Sequence, residues 1–301
     1  MKSKPIYVEL PIKAPLEQVW QVTQEPERHQ QWDLRFSSIT YLPKEEGEPQ
    51  SFLYQTNIGL GLRIAGWGES VGDHKKDGSR TSSLRFGTDQ KISLIREGRG
   101  YWKYEQLADT TTFLTQYDYD VRFGFVGRLV DRLCFRPLIG WATALSFDVL
   151  KRSIEKQESP HWQFIRFFLS MSMVLLFSFV WLYHGLIPKV LLKHPDEVMM
   201  IDRALGISGD SASFAVSLVG FLEIFVAAVW LFYKNKRHLF FIQILIFPLL
   251  MVSAIIVAPQ FLGDPFNPVT FNGALLTLSV VGFYLSKDLP SASSCRRRRN
   301  K

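Results

Sequence analysis

The chain has 301 residues, 47% of them hydrophobic, and a formal net charge of +7. The first half is nearly neutral and the apolar second half carries almost the whole positive excess, at the ends of apolar runs. This excludes a basic nucleic-acid patch on the polar part. The two cysteines, Cys134 and Cys295, form no CxxC or Cys/His cluster, so neither a disulfide framework nor a metal site is expected, and a reducing compartment fits.

Taken in chain order, the N-terminus lacks the apolar core of a signal peptide. Residues 5–13 (PIYVELPIK) have strand character, and a helix starts near Pro15, a residue suited to a first helical turn. A second short helix is expected over 25–32. Strand-like runs then follow at 36–41, 51–57, 62–71, 81–86, 91–97, 100–106 and 110–121, separated by turn-forming stretches such as KEEGEP and HKKDGSR. The last run alternates, with Phe113, Thr115, Tyr117, Tyr119 and Val121 sharing one face. A long helix is expected over 125–156, bent at Pro137.

From residue 159 the pattern changes. Four runs, 167–186, 211–233, 239–258 and 269–286, have the length and apolarity of transmembrane helices. Lys151, Arg152, Lys156 and Arg166 precede the first. Lys234, Lys236 and Arg237 join the second to the third, and a tail rich in arginine follows the fourth. The excess of positive charge at these three places puts both termini in the cytoplasm of a multi-pass cell-membrane protein. Three domains are expected: 1–158 soluble, 159–289 in the membrane, and 290–301 a basic tail drawn to anionic lipid.

Two resemblances rest on particular residues. Ala14-Pro15-Leu16-Glu17-Gln18-Val19-Trp20, Pro26-Glu27-Arg28-His29-Gln30-Gln31-Trp32-Asp33 and the helix end Phe147-Asp148-Val149-Leu150-Lys151, in this element order, resemble the SRPBCC superfamily of START-like carriers and polyketide cyclases. That resemblance implies an α+β helix-grip domain, an antiparallel sheet wrapped on a long C-terminal helix, with a cavity between them. Trp181-Leu182-Tyr183-His184-Gly185-Leu186-Ile187-Pro188-Lys189, then Lys193-His194-Pro195 and Glu197, and Gly220-Phe221-Leu222-Glu223 resemble the DoxX-like family. This second resemblance implies an all-α four-helix transmembrane bundle, and for some members an association with quinone redox chemistry.

Candidate ligand-lining residues of the implied cavity are Trp32, Tyr54, Trp67, Tyr104, Tyr117, Tyr119 and Arg122, although each ring is equally at home in plain core packing. In the bundle Glu223 stands out, because an ionisable group deep in a span is by default a functional candidate. At about 1.5 Å rise per residue, Glu223 falls level with Ser279 and within about two turns of Gln243. His184, Lys189 and Asn272 are expected to form a separate polar group near the outer surface. No GxSxG, HExxH, paired-carboxylate or dinucleotide signature is present, so no enzyme chemistry and no cofactor is read. The expected partners are membrane lipid and a hydrophobic small molecule, with a second copy through the bundle as a further candidate. The competing function is a quinone-linked redox subunit, with Glu223 or His184 handling protons.

Overall fold

The computed structural model describes residues 4–45, 47–59 and 61–299. It divides into two compact units: the chain up to Phe164 together with the segment from Pro290, and Ile165–Leu289.

The first unit is built on seven antiparallel strands in the order β1-β7-β6-β5-β4-β3-β2. These are β1 (Ile6–Ile12), β2 (Ser38–Tyr41), β3 (Ser51–Gly59), β4 (Leu62–Lys76), β5 (Ser79–Gly87), β6 (Ile95–Leu107) and β7 (Thr110–Val121). In β1, Ile6, Val8, Leu10 and Ile12 are buried and the residues between them are not, as expected for a sheet with one face covered. Asp77-Gly78 closes the β4–β5 hairpin, with Gly78 at φ +68°, a conformation that glycine adopts without steric cost. Of the expected run 91–97 only residues 95–97 are strand, and they join 100–106 in β6, whose register shifts between Ile95 and Gly98. Between β1 and β2 lie α1 (Leu16–Gln24) and α2 (Pro26–Trp32), the latter opened by Pro26.

After β7, Phe123 and Gly124 both take positive φ, +64° and +55°. They turn the chain into α3 (Gly124–Val130), a π-helical turn Asp131–Phe135, and α4 (Arg136–Glu155). The irregularity of the closing helix therefore precedes Pro137. At this turn Asp131, fully buried, accepts hydrogen bonds from Tyr119 Oη at 2.7 Å and Arg136 Nε at 2.8 Å. In α4 every residue from Thr143 to Leu150 is buried, and α4 packs on β1.

Residues after Leu289 belong to this first unit. Glu9 and Arg296 exchange backbone hydrogen bonds, each of 2.9 Å, so the tail extends the sheet beyond its β1 edge. Ser291 N donates to Asp148 Oδ2 at 2.9 Å, and Cys295 Sγ lies 3.2 Å from Ala144 O.

The second unit is helical. It comprises the body of α5 (Pro160–His184), a π-helical continuation Gly185–Leu191, α6 (Pro195–Leu205), α7 (Gly209–Phe232), α8 (Lys236–Val257) and α9 (Pro268–Leu285). Its core is Val174, Phe177, Trp230, Phe240, Phe247 and Leu275, while large apolar side chains such as Phe214, Phe221 and Leu249 face outward. That inversion of the soluble pattern is what a lipid-facing surface requires. Five helical stretches in the described chain are long and apolar enough to cross a membrane. One of them, Gly124–Glu155, closes the sheet; the other four lie wholly or mainly in the helical unit.

Candidate functional site

The residues expected to line a cavity lie mostly on the enclosed face of the sheet, where they are occupied by one another. Phe113 stacks on Phe147 at 4.4 Å between ring centroids and on Tyr104 at 4.9 Å, and Trp32 meets Phe113, Phe147 and Trp102. Trp32 and Tyr104 are essentially inaccessible. Each phenol has an internal partner: Tyr104 Oη pairs with Thr23 at 2.6 Å, Tyr117 Oη with Thr143 at 2.8 Å, Tyr119 Oη donates to Asp131, and Tyr54 Oη donates to Gly87 O at 3.2 Å. Rings therefore fill the part of the enclosed face around Phe113.

Trp67 departs further from the expectation. Tyr54 pairs across the strands with Gly66, so Trp67, one residue on, points to the opposite face. There it sits beside Leu53, which is half exposed, and covers Gly87. Arg122 is half-buried: one terminal nitrogen donates to Thr88 O, while its Nε, shielded from solvent, has no partner.

Sequence reasoning missed a polar centre in the enclosed face. Asp33, buried, receives Arg35 Nε at 2.8 Å and Arg35 Nη2 at 2.6 Å, and lies 3.0 Å from His29 Nε2. Burial alone would raise the Asp33 carboxyl, but the Arg35 guanidinium outweighs it and holds the group well below the usual carboxylate range. Burial among Trp32, Phe36 and Trp102 lowers the His29 imidazole, only partly offset by Asp33. A surface groove of about 340 Å³ opens beside this centre, bounded by Gln18, Arg28, Gln31, Trp32 and Gln157 among others.

In the helical unit the polar residues regroup. Ser279 Oγ lies 3.2 Å from Gln243 Oε1, so the two residues expected beside Glu223 meet each other instead. Glu223 is elsewhere: its Oε2 is 3.2 Å from Lys189 Nζ, and the same ammonium donates to Glu197 Oε1 at 3.1 Å. The depth estimate misplaced this pair for two reasons. The first span does not end at Leu186 but continues through the π-helical turn to Leu191, carrying Lys189 within the helix. The helices also cross backbone to backbone: a Cβ on Gly185 would come 2.5 Å from Gly220 O, and one on Gly220 would come 2.8 Å from Lys189 Cβ. Such glycine contacts bring two spans closer than side chains allow and set Lys189 against Glu223. His184, just before the π-helical turn, packs its ring near Phe271 at 5.4 Å. Among the described residues no group of three or more His, Cys, Asp or Glu side chains is placed to hold a metal ion.

These features define a class: a membrane protein whose helical unit buries an ionisable cluster and whose other unit is a helix-closed antiparallel sheet. Residues 178–280 match the model of the DoxX-like family, a stretch that contains His184, Lys189, Glu197, Glu223, Gln243 and Ser279. Over 188 residues the chain is 51% identical to the uncharacterized membrane protein YndG of Bacillus subtilis (strain 168), covering 62% of this chain and 70% of that protein. The chain belongs to the family of that Bacillus membrane protein, with a DoxX-like domain in its second half. In the first half, solved structures of similar arrangement include a STAR-related lipid transfer protein fragment from Xanthomonas axonopodis. It is 17% identical, with a TM-score of 0.35, covering 42% of this chain and 74% of that one. A START superfamily protein from Mycobacterium smegmatis is 14% identical, with a TM-score of 0.35, covering 46% and 91%. At these scores nothing about ligand or activity passes from them to this chain.

Proposed function

We propose that this is a multi-pass cell-membrane protein with both termini in the cytoplasm, whose sheet unit engages membrane lipid and takes a hydrophobic small molecule with a polar head. The observation that carries this reading is an apolar ridge at the start of the closing helix. Phe123, Phe125, Val126, Leu129, Val130 and Leu133 are all exposed there, Phe125 by 74%. Arg128 and Arg132 are exposed beside them. An amphipathic helix of this composition lies in a bilayer interface, its apolar side chains among the acyl chains and its arginines at anionic headgroups. Each basic residue near such a surface adds about 1 kcal/mol. Arg122, at the root of the ridge with its unpartnered Nε, supports a contact with the polar head of the bound molecule.

In this reading four helices span the membrane and Gly124–Glu155 does not, because the second half of that stretch is committed to the sheet. The basic residues before α5, between α7 and α8, and after α9 support the inward orientation. The ridge is tested on full-length protein in nanodiscs containing anionic lipid, with an environment-sensitive fluorophore on Cys134, which is exposed beside Leu133. Lipid-borne quenchers are expected to quench it in wild type and to lose most of that effect in Phe125→Ser/Leu129→Ser. Equal quenching in both, or none in either, rejects the ridge as a lipid contact. For the bound molecule, native mass spectrometry should show an adduct that Arg122→Leu loses; an unchanged adduct pattern rejects Arg122 as its anchor.

A further inference from the structure

The buried acids of the sheet unit are each matched by an arginine: Asp33 by Arg35, Asp131 by Arg136 and Asp148 by Arg152. The helical unit breaks this balance. One ammonium, Lys189, faces two carboxylates, Glu197 and Glu223, and the three side chains are between 11% and 19% exposed. Fully ionised, the cluster carries one uncompensated negative charge within an apolar bundle, the arrangement that such surroundings disfavour most.

The geometry shows where the imbalance falls. Lys189 Nζ makes its hydrogen bond to Glu197 Oε1. Glu223 Oε2 lies at contact distance from the same nitrogen, yet is shielded from solvent and accepts no hydrogen bond. The other charged or titratable groups nearby are engaged or set back. His184 packs at Phe271, Asp196 is 3.4 Å from His194, and Arg203 donates to Val257 O and Gln260. From α7 the facing group is Glu223 itself.

We infer that Lys189, Glu197 and Glu223 form a proton-binding site that holds one exchangeable proton, with Glu223 as its carrier. With the proton on Glu223 the cluster is neutral, and the Lys189–Glu197 pair ties α6 to the π-helical turn. When Glu223 releases the proton, its carboxylate competes with Glu197 for the one ammonium, and the tie to α6 weakens. Glu197 is the more exposed of the two acids and stands in the first turn of an α6 that buries none of its residues, so the proton exchanges with water on that side. Occupancy by a proton is thereby coupled to the seating of α6.

The test is infrared difference spectroscopy on full-length protein in lipid nanodiscs, stepping pH at fixed sodium and then sodium at fixed pH. Wild type is expected to show a carboxylic-acid C=O band at neutral pH that bleaches on alkalinisation and does not respond to sodium. Glu223→Gln should lose the band, and Glu197→Gln should weaken it, because the ammonium is then left to Glu223 alone. Lys189→Met, which removes the ammonium of the cluster, should enlarge it. Absence of the band from wild type, its survival in Glu223→Gln, or its displacement by sodium overturns the proposal. The wild-type spectrum decides even where a variant fails to insert.

Discussion

Asp33, out of solvent, is fixed by Arg35 through two hydrogen bonds and stands against His29, both partners being nearly buried. Removing the guanidinium while leaving the carboxylate should cost about 3–5 kcal/mol, the usual penalty for stranding a buried charge. Arg35→Met is therefore expected to lower the thermal midpoint of the sheet unit sharply, and restoring the balance with Asp33→Asn should recover part of the loss. The acid and the base here act in different pH windows. The Asp33 carboxyl is depressed in the fold, so its contribution is complete above its unfolded value of about 3.9 and disappears only at lower pH. His29 is lowered too, which for a base means the folded form stays neutral while the unfolded form takes up a proton below about 6.5. Stability of the sheet unit should thus decline as pH falls through that value, and His29→Gln should flatten the decline in a pH series of melting curves. At this scale the sequence shows which rings are large and how they alternate. It does not show that Thr23, Thr143 and Asp131 hold their hydroxyls, because those partners come from helices that meet the sheet only after folding. The Asp33–Arg35–His29 centre left no periodic signal, since a buried ion pair two residues apart looks like any polar turn.

Among the elements, the crossing of the first span with α7 depends on two glycines. A methyl at Gly185 would press on the backbone of Gly220 at 2.5 Å, whereas one at Gly273 meets only Met251 Cε at 3.9 Å. Gly185→Ala is expected to destabilise the helical unit by about 1–3 kcal/mol, as overpacking does, and Gly273→Ala to leave its melting in detergent unchanged. Equal melting of both variants would show that the helices separate there without penalty. Hydropathy places the starts and ends of α7, α8 and α9 to within about three residues, since a lipid-facing helix announces itself by apolar length alone. It ends the first span too soon because Pro188 and Lys189 look like a boundary. In the structure, Pro188 cannot donate the hydrogen bond of a regular turn, and the helix widens to a π form instead of stopping. Helix α6 escapes notice for a different reason: PDEVMMIDRAL is short and amphipathic, with acidic residues at its start, and its apolar face is too narrow to register as a span.

For the whole molecule, the division into a polar half and an apolar half is visible from charge and hydropathy. The return of the chain to its beginning is not. An arginine run after the last span reads as a lipid-facing tail, while the residues that dock it, Ser291, Ala292 and Cys295, are small and follow no period. Burial pushes the Cys295 thiol up to about 12, whereas Cys134 is exposed. In the folded protein a maleimide should modify Cys134 quickly and Cys295 at least tenfold more slowly, with mass spectrometry assigning each site. Comparable rates would mean that the tail does not stay docked. The same docking places the helical unit as an insertion within the sheet unit rather than an appendage to it. Topology maps made by fusing reporters to successively shorter chains would then mislead. Every truncation before Pro290 removes the strand partner of Glu9 along with the span under study, and so reports on a protein whose first domain lacks its docked tail.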